Sequence, residues 1–155
     1  RARWYPSHTV QQAIEWGHSF LPGFDKETAI RFAEWMDIDP EMKIAGMSRG
    51  QEARVALILC ISRDVPLIIL DEPFAGIDVI SREAIGSGII DHLENRGRTM
   101  LISTHDIQEV EGLFDYTVMM ENGRAIWSGE TDDLRAEYGS LQNVFRTLYK
   151  KEWRR

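Results

Sequence analysis

A chain of 155 residues, 43% hydrophobic and 28% charged, is sized for one globular core burying about 70% of the surface its unfolded form exposes. No apolar run approaches the roughly 20 residues of a membrane-spanning helix, and Arg1-Ala2-Arg3-Trp4-Tyr5-Pro6 carries neither the apolar region nor the cleavage site of a secretion signal. A formal charge of −7 repels phosphate backbones and disfavours nonspecific nucleic-acid binding, while the single cysteine excludes an internal disulfide and fits a reducing cytosol.

Apolar residues recur at helical spacing from Thr9 to Trp16 (Val10, Ala13, Ile14) and from Lys26 to Met36 (Ala29, Ile30, Phe32, Ala33, Met36), separated by the turn-forming Leu21-Pro22-Gly23-Phe24-Asp25. Asp25 is the expected N-cap of the second helix and Asp39-Pro40 its expected stop. The two form a small helical layer in which Trp16 and Trp35 are expected to pack between the helices. Then comes Met47-Ser48-Arg49-Gly50-Gln51. Ser-x-x-Gln ahead of a long helix is a capping box, and a helix mouth with a hydroxyl, a glycine and free amides is equally an anion site.

A helix from Glu52 to Arg63 contains the longest apolar stretch, Val55 to Ile61, where Cys60 is expected as a buried small hydrophobe rather than a reactive thiol. A strand follows at Leu67 to Leu70, a helix at Val79 to Asn95 with Ile85, Ile89 and Leu93 on one face, and Asn95-Arg96-Gly97 as its stop. Next are a strand at Thr99 to Ser103 and a short helix at Ile107 to Leu113. Neither strand alternates with polar residues, so both are expected to be buried on two faces, parallel and adjacent or nearly so, in a βαβ unit. Their carboxyl ends then share one edge, where Asp71, Glu72 and His105 converge and where open α/β sheets bind ligands. Tyr116 to Met120 and Ala125 to Trp127 flank Asn122-Gly123, a two-residue hairpin turn. Thr131 or Asp132 opens a helix to about Tyr138, and Leu141 to Tyr149 forms another, before a solvated basic tail at Lys150 to Arg155.

Asp71-Glu72-Pro73 at a strand end is ordinary turn chemistry when taken alone. Flanked by Ser48 to Gln51 before and Ser103-Thr104-His105 after, the pair fits magnesium-nucleotide hydrolysis. That reaction needs a metal to neutralise developing charge and a base to orient water, so Asp71 is assigned to magnesium, through water, and Glu72 to the attacking water. His105 either bonds a γ-phosphate oxygen or merely begins a helix. His8, His18 and His92 have no such setting, and no Cys/His spacing suggests zinc. The phosphate loop G-x-x-x-x-G-K-[ST] is absent from these 155 residues.

Met47 to Gly129 resembles the carboxyl half of an ABC ATPase: a signature loop (Met47 to Gln51), the Walker B strand (Leu67 to Asp71 with Glu72), a D-loop (Ala75-Gly76-Ile77-Asp78) and an H-loop (Ser103-Thr104-His105). The helices before Met47 look like that family's helical subdomain, and Trp4 to Val10 like the segment after its Q-loop. The phosphate loop would then precede Arg1. The resemblance implies a P-loop NTPase (RecA-like) half-core of α/β class, divided as 1–46 helical subdomain, 47–129 catalytic core and 130–155 closing helices and tail. It implies ATP and magnesium as cofactors and head-to-tail pairing with a second ATPase subunit. Ser48, Gly50 and Gln51 would contact the γ-phosphate held by the partner, and Asp78 would reach across the interface. Asp71, Glu72 and His105 would serve the chain's own nucleotide. Arg49 departs from the family's glycine, and is expected to point away or to add a charge-assisted contact.

The leading expectation is the ATP-hydrolysing subunit of a membrane transporter, of the compact exporter type, held at the inner face of the cell membrane by a permease. The runner-up is a soluble ABC ATPase of translation or DNA maintenance, disfavoured by net acidity and the lack of a basic groove. A third reading is a non-catalytic binding fragment, with uncovered apolar surface and unpaired strand edges that favour self-association.

Overall fold

The computed structural model describes residues 7–94, 97–107 and 111–149, apart from the side chains of residues 93, 94, 111, 148 and 149. Expectations for Trp4 to Pro6, Leu93, Asn95-Arg96, Leu148 and the basic tail fall outside those bounds. The chain forms two compact units, Arg1–Thr104 and His105–Arg155.

In the first unit, α1 (Val10–Phe20) opens at Thr9 with a reciprocal cap: the Gln12 amide donates to Thr9 Oγ1 (3.2 Å) and the Thr9 amide to Gln12 Oε1 (3.0 Å). Helix α2 (Lys26–Trp35) opens at Asp25 as expected, the Thr28 amide donating to its carboxylate at 3.0 Å. It stops before Asp39-Pro40. Asp37 turns left-handed (φ 53), the Asp37 amide donates to the Glu34 carbonyl and the Ile38 amide to the Ala33 carbonyl, so a Schellman closure ends the helix.

The tryptophans do not pack as expected. Trp16 stacks on Phe20 of its own helix (centroids 5.3 Å apart), and Trp35 meets Phe32 edge-on and lies over Gly88 of α4 (Val79–Glu94). The buried residues of α1 and α2 include the small Ala13, Gly17, Ala29 and Ala33, and Gly17 lies against the Phe24 ring.

Helix α3 (Arg49–Ile61) is the centre of this unit. Val55, Leu57, Ile58, Leu59 and Ile61 are all buried, covering more than one side of the helix, as befits an element with neighbours around it. Cys60 corrects an expectation: it is exposed. Apolar neighbours in sequence favour burial, but the helical turn points this one position outward. Its thiol pKa is pushed up by desolvation, partly offset by the Arg63 charge. Maleimide labelling of the native protein should therefore proceed without denaturant, with a rate still rising at pH values where an ordinary thiol levels off. A requirement for denaturant would contradict the exposure.

Strands β1 (Leu67–Asp71) and β2 (Thr99–Ser103) pair in parallel and in register, Leu67 opposite Thr99 through Asp71 opposite Ser103. Arg98, whose side chain is 3% exposed, fastens the start of β2 to the segment before β1, donating to the Asp64 carboxylate (2.6 Å) and the Arg63 carbonyl (2.9 Å). Burial on both faces is not found. Ile68 and Leu70 are buried, but Leu67, Ile69 and Leu101 are 47%, 67% and 56% exposed. A continuous apolar strand requires two covering layers, and the described residues supply one.

In the second unit, β3 (Tyr116–Glu121) and β4 (Arg124–Glu130) form the expected hairpin, with Asn122 and Gly123 both at positive φ (48 and 76) and a bulge at Met119/Met120. The helix expected at Ile107 to Leu113 is described only as a single 3-10 turn, Glu111–Leu113. Met119 packs with Leu134 of α5 (Thr131–Tyr138) and with Leu141 and Val144 of α6 (Leu141–Tyr149). Tyr116, Val118 and Met120 on the alternate positions are exposed, a second open apolar face.

Candidate functional site

In-register parallel pairing puts the ends of β1 and β2 side by side, and the two strand ends carry complementary chemistry. Opposite the acids Asp71-Glu72 stand the hydroxyls Ser103-Thr104. The Ser103 hydroxyl donates to Asp71 Oδ1, and the Thr104 hydroxyl donates to Glu72 Oε2 at 3.0 Å. The Glu72 amide donates to the Ser103 carbonyl (2.9 Å), which extends the ladder by one bond before the chain turns away.

That turn is sharp. Glu72 is left-handed (φ 46), a conformation costing a non-glycine residue roughly 1–2 kcal/mol, and the Ala75 amide closes the bend on its carbonyl at 3.2 Å. Glu72 is thus held at both its backbone and its carboxylate. Ser103 and Thr104 were legible in the sequence only as the lead-in to His105. The signal that finds them is register: hydroxyls at the position where the neighbouring strand ends in acids.

Asp71 is exposed and Glu72 half-buried. Among the described residues no three His, Cys, Asp or Glu side chains gather into a metal-binding group. The exposed Asp71 carboxylate is an oxygen donor of the kind magnesium takes, an ion held by one or two carboxylates together with substrate phosphates and water.

The second predicted locus is the mouth of α3. The capping box is present, with the Gln51 amide donating to Ser48 Oγ (3.2 Å) and the Ser48 amide to Gln51 Oε1 (2.9 Å). Ser48 and Arg49 are exposed. Gly50 has an internal partner that sequence could not name. A Cβ there would lie 2.6 Å from the Gly76 carbonyl oxygen, so the missing side chain admits the chain's own 75–78 loop.

Asp78 ends that loop and caps α4, accepting from the Ser81 amide at 2.9 Å. Its carboxyl is held below the usual carboxylate range by hydrogen bonds from the Ser81 hydroxyl and amide, with a smaller effect of the Arg54 charge. Arg54 reaches the Asp78 carboxylate (3.4 Å), the Ser81 hydroxyl (3.2 Å) and the Met36 carbonyl (3.1 Å). Sequence reading missed Arg54 altogether. His105 follows Thr104 directly in the chain and is the first residue of the second unit. The acids, the α3 mouth and Asp78 all belong to the first.

No family model matches the chain. It is 33% identical over 111 residues to an uncharacterized ABC transporter ATP-binding protein of Methanocaldococcus jannaschii, covering 71% of this chain and 42% of that protein. It is 33% identical over 132 residues to the thiamine import ATP-binding protein ThiQ of Salmonella typhimurium, covering 81% of this chain and 55% of that one. Among solved structures, an ATP-binding subunit of an ABC transporter superposes on 95% of this chain and 65% of its own with a TM-score of 0.72 at 22% identity, a likeness of fold. The chain spans about half the length of the two relatives it matches. Its homologues are thus ABC transporter ATP-binding proteins, its fold is that of part of an ABC ATPase domain, and it corresponds to a portion of each.

Proposed function

We infer that this chain, a portion of an ABC-type ATPase, supplies the hydrolytic acids and a phosphate-facing helix mouth to an ATP-driven transport subunit. The observation that carries this is the acid pair at the rim of a parallel strand pair, each carboxylate accepting from a hydroxyl of the neighbouring strand. Bound magnesium would neutralise charge developing on the transferred phosphoryl group. Asp71 would hold that ion, with the Ser103 hydroxyl fixing the carboxylate. Glu72, anchored by Thr104, orients and deprotonates the attacking water. His105 donates to a γ-phosphate oxygen of the same nucleotide.

In a head-to-tail pair, Ser48, Gly50 and Gln51 face the γ-phosphate bound by the second subunit, Arg49 adds a charge-assisted contact, and Asp78 lies at the shared interface. The subunit works at the inner face of the membrane, docked on a permease. Among the described residues no helix is long and apolar enough to cross a membrane. Export is the direction suggested by the likeness of the short helical subdomain and closing helices to compact exporter-type subunits. The 33% identity to a protein named for thiamine import favours an import system as the second reading.

The 155 residues alone lack the backbone cradle for a triphosphate and leave Leu67, Ile69 and Leu101 uncovered. Calorimetry is expected to show negligible ATP binding by this chain and magnesium-dependent hydrolysis by the full-length protein, and sedimentation to show self-association of the chain. Micromolar ATP affinity in the isolated chain, or a clean monomer, would count against those two points. A nucleic-acid-stimulated rate in the full-length protein would promote the translation or DNA-maintenance reading.

A further inference from the structure

We propose that Arg54 is a positioning residue that clamps the 75–78 loop onto the first turns of α3, so that the Ser48 mouth and the Asp71-Glu72 acids move as one rigid piece. The effect on rate rests on the function proposed above; the clamp itself does not. The loop from Glu72 to Asp78 joins the two predicted loci and is held at three places. Its start is fixed by the Glu72 amide on the Ser103 carbonyl and by the Thr104 hydroxyl on the Glu72 carboxylate. Its middle lies under Gly50, where the approach is too close for any side chain. Its end, Asp78, is held by Arg54.

Arg54 stands six residues after Ser48, about 9 Å along the helix, and its guanidinium makes three separate contacts. Nη1 donates to the carbonyl of Met36, the buried C-cap of α2, while Nη2 donates to the Ser81 hydroxyl and the Asp78 carboxylate at the start of α4. One planar fork thus ties the end of α2 and the start of α4 to α3. Coulomb energy is a poor account of it. Asp78 is 62% exposed and 3.4 Å away, a geometry in which an ion pair adds little to stability. Arg54 Nε is meanwhile buried without an acceptor among the described residues. A donor left unmet is a cost, and the fork that carries it is fixed in place by its other contacts. What the residue provides is geometry: the distance between the helix mouth and the loop that ends in Asp78.

The test is a double-mutant cycle in the full-length protein with Arg54→Met, Asp78→Asn and the pair, plus Arg54→Lys, scored by kcat and KM for ATP. Arg54→Met is expected to lower kcat about tenfold with KM changed less than about twofold, and the double variant to be no worse than the poorer single one. Arg54→Lys, with one point donor in place of a fork, should recover little of it. A folded Arg54→Met with wild-type kcat, or additive losses in the pair, overturns the proposal. Should the wild-type protein hydrolyse no ATP, the functional reading fails separately. Amide exchange of this chain then decides the clamp: Arg54→Met should accelerate exchange about tenfold at Ile77, Ser81 and Arg82 but not in α1, and unchanged exchange there overturns it.

Discussion

Glu72→Gln in the full-length protein is expected to cut ATP turnover by about 10²–10⁴-fold while nucleotide stays bound. The substitution is nearly isosteric. Its amide oxygen can still accept from the Thr104 hydroxyl, and the left-handed backbone at this position is set by the bonds to Ser103 and Ala75 rather than by charge. What is lost is the basic oxygen that takes a proton from water. The discriminating measurement is bound nucleotide after gel filtration together with steady-state rate. Lost rate with retained ATP assigns the base to Glu72, whereas a variant that keeps most of its rate moves that role elsewhere. Asp71→Asn should differ in kind, raising the magnesium concentration needed for half-maximal rate, because that carboxylate is assigned to the ion.

Gly50→Ala should destabilise the first unit by about 1–3 kcal/mol. The added methyl, rigid on the α3 backbone, would sit 2.6 Å from the Gly76 carbonyl oxygen, and the atoms it meets are backbone, so the clash is relieved only by moving α3 or the loop. Two other glycines calibrate the size of the effect. At Gly88 the nearest atom, 2.3 Å away, is the far end of the half-exposed Trp35 ring, which can swing aside; at Gly46 nothing lies within 4 Å. Thermal unfolding of the three alanine variants should rank Gly50 as the most damaging, then Gly88, with Gly46 within about 0.5 kcal/mol of the parent. Equal tolerance at Gly50 and Gly46 would mean that the loop does not lie where it is described. The same variant should lose turnover beyond its loss of stability, since a displaced loop carries Glu72 at its other end.

Local rules read from residues alone held where the interaction is local. The Asp25 and Ser48 caps and the Asn122-Gly123 turn depend on bonds within four residues, and they are found as expected. Expectations failed where residue type alone does not fix a side chain's partner, its facing side or the stop of a helix. Trp35 found Gly88 of α4 rather than α1, the end of α2 came from a left-handed Asp37 rather than from Pro40, and Cys60 faced outward from an otherwise buried helix.

The chain's own sequence determined which side chains are in play and in what order: adjacent acids at a strand end, a capped helix mouth ahead of them and a histidine behind. Side-chain type and short-range spacing are enough to specify that. Only the tertiary structure decided that each acid meets a hydroxyl from the next strand, that Gly50 is spent on Gly76, and that Arg54 joins three helices. Those contacts are set by strand register and by the packing of helices around α3, quantities that emerge when distant segments share a core and that no window of sequence contains.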